Sequence, residues 1–540
     1  MDWPWSINWR CTEMALVLIG PPTAGKTSVG KLVAERLGRP FVDVDQVVEQ
    51  AVGASVADVF TRWGETGFRA IEAAAAERAL SGVNGVISLG GGAVAQASVR
   101  ENLPGHQVVW LDVAADEAAR RASVEPRQRP LLGDDPAARV AALIEERRPV
   151  YAKAATWRVD TTFLSTAEVV GEVVSLVGEP TVEFATERPY QAFIGHGALT
   201  RVAPLVAGAA KVGVIASSAL SYVAQRVCDE VTLAGVQPYL IEVPVGEAAK
   251  TPAVVASCWS RLAESGFTRS DLIIGVGGGA TTDMAGFVAA SFLRGIGWVA
   301  LSTSVLGMVD AAIGGKTGID IPEGKNLVGA FHEPRAVLAD LGTLTTLPQR
   351  EVRSGLAEAI KEGFTDDGEI LDLVEADPSD VLGVNSHRLA EIITRAIHVK
   401  AGVVAEDLRE RTTADGPVGR ERLNYGHTLG HAIEAYEHFE MRHGEAVAIG
   451  CVFAAEVAQR LLGLAPEVVA RHRSVFAGVG LPTSYSGAAW DDLRALMARD
   501  KKTRGADLRM VLLRAPGDVV VVKDPPEDVL RAAYQALAKP

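Results

Sequence analysis

Cysteine is scarce. Cys11, Cys228, Cys258 and Cys451 are the only four in 540 residues, and no two share a C-x-x-C spacing. That excludes a disulfide scaffold and a thiolate metal site, and suits a reducing cytoplasm. An excess of basic charge is lacking too: 53 Lys and Arg face 67 Asp and Glu, for a net charge of -14 and a pI near 5.3. Nucleic-acid and anionic-membrane surfaces carry the opposite sign, so anionic ligands must be met by local cations. No run approaches the roughly 20 uninterrupted apolar residues of a membrane span. The opening MDWPWSINWRCTE has no basic start followed by an apolar core and does not read as a secretory signal. From Met14, MALVLIG is already a strand entering a glycine loop, so Met14 is the expected natural start and the Trp-rich leader an appendage.

What is present reads as an α/β protein: 48% hydrophobic residues, 22% charged and 54 glycines. The length predicts more than one domain, at roughly 150 residues each. Apolar runs ALVLIG, FVDVD, GVISLGGG and QVVWLDV alternate with helix-length segments, the pattern of βαβ units and a parallel sheet. The pattern breaks around Val177–Pro180 and restarts with TVEFAT, KVGVIAS and DLIIGVGGG. From Leu347 to Ala515 strands are scarce and amphipathic stretches such as RLAEIITRAIHVKAGVVAEDL dominate. The expected domains are an α/β unit over 14–178, a second over 181–346 and a mainly helical one over 347–540. There is no repeat and no low-complexity tract.

Gly20, Gly25, Lys26 and Thr27 fit G-x-x-x-x-G-K-[ST] between a strand and a helix-like run, VGKLVAERLG. Backbone N–H groups of such a loop cradle phosphates, the lysine neutralises them and the threonine hydroxyl can hold Mg²⁺. GGKTG at 314–318 has Asp310 where the first glycine belongs and is no such loop. FVDVD is expected to set Asp43 and Asp45 on one face at a strand end, where open sheets bind ligands. Arg69 in GETGFRAIE, Gly90–Gly92, Arg129 in QRPLL and Arg147 in ERRPVY follow. Together these motifs resemble shikimate kinase along 14–177. The resemblance implies Asp45 as shikimate ligand and base, Asp43 with Thr27 around Mg²⁺, and Arg69, Arg147 and Gly91 at the shikimate carboxylate. It implies Arg129 on the transferring phosphoryl and Arg120 among the ATP contacts. Bidentate geometry is why a carboxylate substrate calls for arginines. Thr23 stands where that family often has glycine, a change tolerated unless the backbone there needs positive φ.

GVGGGATTDMAGF, from Gly275, matches G-x-G-x-x-A after a strand, a weak fingerprint without its acidic partner about 20 residues on. Beyond it stand PVGEAAK, SFLRG, LSTSVLGMVDAAIGGKTGID, GKNLVGAFHEP, GLAEAIKEG, LNYGHTLGHAIE and RHGEAVAIG. His427 and His431, one helical turn apart, could ligate a metal together on spacing alone. The whole set, spanning 181–540, resembles 3-dehydroquinate synthase. That resemblance implies a Rossmann-like NAD-binding domain and a helical metal domain, with Glu358, His427 and His443 on a catalytic zinc or cobalt and His431 beside it relaying a proton. It implies NAD⁺ contacts at Glu247, Lys250, Gly278, Gly279, Asp283, Thr303 and Ser304. The substrate, 3-deoxy-D-arabino-heptulosonate 7-phosphate, would meet Asp310, Lys316, Lys325, Asn326, Lys361, Lys400, Arg294, Arg420 and Lys501 or Lys502, with Lys316 and Arg294 catalytic and Arg422 competing with Arg420. A three-ligand Glu/His₂ set leaves the open position a catalytic metal wants. The implied reaction passes hydride to NAD⁺ and back, eliminates phosphate and closes a carbocycle by an aldol step, so its class is carbon–oxygen lyase.

The expected whole is a cytoplasmic shikimate kinase and synthase fusion, homodimeric through the synthase half, with small-molecule partners and neither nucleic acid nor membrane. Two rivals stand beside it. A metal-dependent polyol dehydrogenase fused to another kinase would accumulate NADH, and the anion-binding lysines count against it. A non-catalytic nucleotide-sensing regulator would have lost Lys26, Asp45 or a metal ligand, and all are present.

Overall fold

The computed structural model describes residues 15–37, 39–82, 85–124, 136–177, 181–384, 386–409, 418–504 and 508–538. Two compact units emerge, one running up to Glu179 with His196–Val212 and Gln225–Tyr239, the other holding the remainder from Pro180.

The first unit is built on strands β1 (Leu16–Ile19), β2 (Phe41–Asp43), β3 (Val86–Ser88), β4 (Gln107–Asp112) and β5 (Trp157–Asp160). Their order is β2-β3-β1-β4-β5, every pair parallel. Strands buried on both faces read as continuous apolar runs, as LVLI does here. Leu16, Leu18, Val109, Leu111 and Trp157 pack against Val29, Val33, Leu143 and Val170 from the flanking helices. Strand order reverses at β1, and ligands bind outside the carboxyl ends of strands at such a point. The phosphate-type loop, the turn after Asp43 and the Gly90–Gly92 turn all leave that edge.

The second holds most of a seven-stranded sheet in the order β6-β7-β14-β11-β10-β8-β9. These are β6 (Thr181–Phe184), β7 (Tyr190–Gly195), β8 (Lys211–Ser217), β9 (Gln237–Val243), β10 (Leu272–Gly277), β11 (Gly297–Ser302) and β14 (Ala336–Asp340). A hairpin, β12 (Lys316–Ile321) with β13 (Gly324–Phe331), stands apart from them. Helices Gln349–Thr365, His387–Glu406, His427–Tyr436, His443–Leu462, Pro466–Gly478, Trp490–Arg504 and Glu527–Leu537 follow. The expectation of few strands over 347–515 misses a second hairpin, β15 (Arg509–Ala515) with β16 (Asp518–Lys523). RMVLLRA and DVVVVK are short apolar runs around a Gly517 turn, and their pairing is antiparallel. Among the described residues no helix is long and apolar enough to cross a membrane.

Candidate active sites

In the first unit, helix Lys26–Leu37 starts at the loop, aiming its N-terminus at the strand edge. Lys26 Nζ donates to the carbonyls of Gly20 and Pro21 at 2.9 and 3.0 Å. Thr27 Oγ1 donates to Asp43 Oδ2 at 2.7 Å, pairing a hydroxyl and a carboxylate as a Mg²⁺ shell would need. Asp43 and Asp45 do not share a strand face. Asp43 ends β2 and caps the next helix, Val44–Val52, accepting the Asp45 N–H at 3.0 Å. The capping preference of aspartate overrides the extended pattern of FVDVD, and Asp45 lies exposed in the first helical turn.

Gly90–Gly92 forms the hub of this site. A Cβ on Gly90 would fall 2.1 Å from Glu72 Oε1 and 3.0 Å from Asp45 Oδ1, and one on Gly92 would lie 2.1 Å from Arg69 Nη1. The Gly91 carbonyl accepts Arg147 Nη1 at 3.0 Å and the Tyr151 hydroxyl at 2.5 Å. Asp45, Arg69 and Arg147 thus surround one backbone turn. Glu72 and Tyr151 were not singled out in the sequence. Glu72 is buried and accepts Arg69 Nη1 at 2.6 Å; burial raises its carboxyl, with Arg69 opposing. The i,i+3 spacing to Arg69 was its available signal. Arg120 forks onto Glu117 at 2.7 and 2.8 Å on an exposed helix face. Arg129 lies outside the described residues. Thr23 has φ 70°, the condition under which a β-branched residue is strained; its hydroxyl donates to the Ala118 carbonyl at 3.2 Å.

In the second unit β10 runs into Gly277, and helix Gly279–Ser291 starts beyond Gly278. Thr303 N–H donates to the Gly277 carbonyl at 2.9 Å, and Ser304 Oγ faces Gly278, 3.2 Å from where a Cβ would stand. Lys250 is buried, donating to Asp283 Oδ2 at 2.9 Å and to Asn326 Oδ1. Glu247 is exposed on the turn before it. Asn326 holds φ 55° and Arg294 φ 67°. Lys325 Nζ rests 4.0 Å over the Phe439 ring. Lys316 opens β12 and is exposed. Lys400 Nζ donates to the carbonyl and carboxylate of Asp310. Arg420 is fully buried, donating to the carbonyls of Leu408 at 2.7 Å and Gly314 at 3.3 Å, whereas Arg422 pairs with Asp366 at 2.9 Å. The side chains of Lys501 and Lys502 lie outside the described residues.

Three helices converge on Glu358. This carboxylate is fully buried, and its Oε1 has no hydrogen bond of good geometry. His443 Nε2 stands 3.2 Å from that oxygen and His427 Nε2 3.5 Å. Lys361, one turn along the same helix, donates to Glu358 Oε2 and to the Leu423 carbonyl at 2.8 Å. Burial alone would raise the Glu358 carboxyl, but Lys361 and the two imidazoles hold it well below the usual range. Burial pushes His427 down to about 3. For His443 burial is outweighed by the Glu358 and Glu434 carboxylates beside it, which raise it to about 10. His427 Nδ1 donates to the Tyr425 carbonyl at 3.1 Å, which leaves Nε2 with its lone pair. Among the described residues Glu358, His427 and His443 form one set whose ligand atoms lie within 4.8 Å of one another, and His431, Glu434 and His443 form a second. His431 is exposed, its ring centroid 5.1 Å from that of His427.

Sequence reading also passed over His472, fully buried 45 residues downstream of His427 with no local motif. Its Nδ1 donates to the Val468 carbonyl at 2.7 Å, so Nε2 accepts the Tyr425 hydroxyl at 2.9 Å.

Comparison with known proteins agrees on both units. The family model for shikimate kinase matches residues 22–177. Models for the 3-dehydroquinate synthase N-terminal and C-terminal parts match 240–354 and 355–503. The 3-dehydroquinate synthase of Cutibacterium acnes is 53% identical over 359 residues, covering 65% of this chain and 98% of its own length. That of Thermobifida fusca is 49% identical over 354 residues, with 65% and 95% covered. Among solved structures, a 2-deoxy-scyllo-inosose synthase with carbaglucose-6-phosphate, NAD⁺ and Co²⁺ aligns at TM-score 0.59 and 25% identity, over 66% of this chain and all of its own. A 2-epi-5-epi-valiolone synthase from Streptomyces hygroscopicus with NAD⁺ and Zn²⁺ aligns at 0.57 and 27%, over 61% and 92%. The chain belongs to the 3-dehydroquinate synthase family, carrying a shikimate kinase domain fused ahead of the synthase.

Proposed function

We infer that this protein is a bifunctional shikimate-pathway enzyme. In this reading residues 14–178 move a phosphoryl group from Mg²⁺-bound ATP to the 3-hydroxyl of shikimate. Residues 181–346, a nucleotide domain, and 347–540, a helical metal domain, convert 3-deoxy-D-arabino-heptulosonate 7-phosphate to 3-dehydroquinate and phosphate. The observation that carries the synthase reading is the convergence of two imidazole Nε2 atoms on Glu358 Oε1, a buried carboxylate oxygen without a good hydrogen bond. Such an oxygen is costly to bury unless a cation meets it, and one Glu with two His is a common catalytic donor set.

Glu358, His427 and His443 would hold a divalent ion, Zn²⁺ or Co²⁺ as in the two solved neighbours, which would supply Lewis-acid polarisation of hydroxyl oxygens, and the nucleotide domain would hold NAD⁺, which would supply reversible hydride transfer. The chain's own residues do the rest. Lys361 offsets the Glu358 charge, so with a divalent ion in place the set would keep a net positive charge toward an acidic substrate. Lys250, Asp283, Gly278, Gly279, Thr303 and Ser304 line the strand end where the dinucleotide lies, with Glu247 at its rim. Lys316, Lys325, Asn326, Lys400, Arg294 and the Lys501–Lys502 pair supply the anion contacts, and Asp310 orients Lys400. Arg420 holds the Gly314 turn that precedes Lys316. His431, exposed beside the ligands, carries a proton between substrate and water. In the kinase half Asp45 takes the proton of the shikimate hydroxyl, Arg69 and Arg147 bind its carboxylate beside Gly91, and Arg120 and Arg129 serve the nucleotide. A homodimer through the synthase half belongs to the same reading, supported by exposed Leu327, Val328 and Phe331 on β13, which such an interface would cover.

Purified protein is tested for phosphate release from the heptulosonate phosphate with NAD⁺, before and after EDTA and with Zn²⁺ restored. Release without net NADH, lost to chelator and regained with metal, is expected. Accumulating NADH would replace the lyase by a polyol dehydrogenase, and no turnover at full metal content would leave a regulator.

A further inference from the structure

Two candidate ligand sets share His443, and one ring cannot serve both in the same way. His443 Nε2 stands 3.2 Å from Glu358 Oε1, while Nδ1 stands 3.2 Å from Glu434 Oε2. The imidazole is thus gripped at both ends by carboxylates. Either Nδ1 keeps a proton and donates it to Glu434, leaving Nε2 as the ligand atom, or Nδ1 ligates a second ion together with Glu434 and His431. We propose the first: Glu434 is a positioning residue of the metal centre, orienting His443 through its Nδ1–H. This rests on the reading of Glu358, His427 and His443 as that centre.

Three observations carry it. The pattern is symmetric across the two histidines: His427 Nδ1 donates to the Tyr425 carbonyl, so in both rings the outer nitrogen is anchored and the inner one faces Glu358. Glu434 is buried, with its side chain about one-tenth exposed, whereas His431, the third member of the rival set, is exposed. Finally, the contact is built into the packing of helices His427–Tyr436 and His443–Leu462. They approach so closely that a Cβ on Gly450 would lie 1.9 Å from the Gly426 carbonyl oxygen, and one on Gly430 3.2 Å from that of Ala446. Glu434 lies seven residues after His427, on the same helical face, so the crossing that brings His443 to His427 also brings it to Glu434. Carboxylate partners of ligand imidazoles fix ring orientation and raise ligand basicity.

The test titrates Co²⁺ into full-length protein stripped of metal, reading stoichiometry by equilibrium dialysis, affinity by competition with a chromophoric chelator and geometry by the visible absorption of the bound ion. Glu434→Ala, Glu434→Gln and Glu358→Ala are compared with the parent, with thermal unfolding as the folding control. One ion per parent chain is expected. In Glu434→Ala its affinity falls by about 10 to 100-fold with a changed spectrum. Glu434→Gln, whose amide oxygen still accepts the Nδ1–H, recovers most of both. Unchanged affinity and spectrum in Glu434→Ala overturn the proposal. Two ions in the parent and one in Glu434→Ala overturn it differently, by making Glu434 a ligand of a second ion. If the parent binds no ion, or Glu358→Ala binds as tightly as the parent, the centre itself falls and this inference with it.

Discussion

Single residues show how each site meets the cost of its own chemistry. His472 is held neutral in the core, its pKa pushed by burial from 6.5 to about 4. The unfolded chain takes up the proton at the higher pH. Stability from this residue is therefore complete above about pH 6.5, drains as pH falls and is gone below about 4, a change on the order of 3 kcal/mol. Chemical unfolding at a series of pH values should show that slope, and His472→Gln should flatten it; an equal slope in the variant would remove the assignment. In the kinase half Gly90→Ala places a methyl group against Glu72 and Asp45. Shikimate-dependent ADP formation should fall on the order of 10²-fold, as expected when a catalytic group is displaced by about 1 Å, with phosphate release by the synthase half untouched. His472 does not announce itself in sequence, and Glu72 does so only through its i,i+3 spacing to Arg69. Their importance comes from what surrounds them, and a lone buried polar residue has no local pattern.

Secondary-structure elements carry the sites at fixed geometry. Strand, glycine turn and helix form consecutively at Leu16–Leu37 and again at Leu272–Ser291, which is why these loops are visible in the sequence: every backbone requirement falls within about 20 residues. FVDVD misled for the same local reason, because one side-chain cap at Asp43 converts the end of an extended run into a helix. The hairpin Arg509–Lys523 was passed over because its two strands pair only with each other after a stretch of helices. The crossing at Gly426 and Gly450 gives the sharpest test at this scale. Gly450→Ala leaves no room for its methyl group and should destabilise the synthase half by about 1–3 kcal/mol, read as a lower denaturant midpoint, and should weaken metal retention in parallel. A normal midpoint with normal metal content would show that the helices can part without cost.

At the scale of the whole chain, the two proposed sites draw on separate residues, Lys26 with Asp45 in one and Glu358 with His427 and His443 in the other, so their losses should be separable. Lys26→Ala should abolish ATP-dependent phosphorylation of shikimate while phosphate release from the heptulosonate phosphate continues, and Glu358→Ala should do the reverse. Coupled assays on each full-length variant decide it, and a single variant that silences both reactions would contradict independent catalysis. What the amino-acid order determined by itself was the chain's division into α/β and helical stretches, the phosphate-type loop and the two families it resembles, since these depend on short contiguous patterns. The resemblance already implied Glu358, His427 and His443 as one set, and the tertiary structure decided how these groups meet and which others join them. Spacing made His427 and His431 equal partners, but helix packing set His443 and Glu358 against His427, left His431 at the surface, and put Glu434 and Tyr425 on the outer nitrogens. That choice rests on contacts between backbones tens of residues apart, and no periodicity within one segment encodes them.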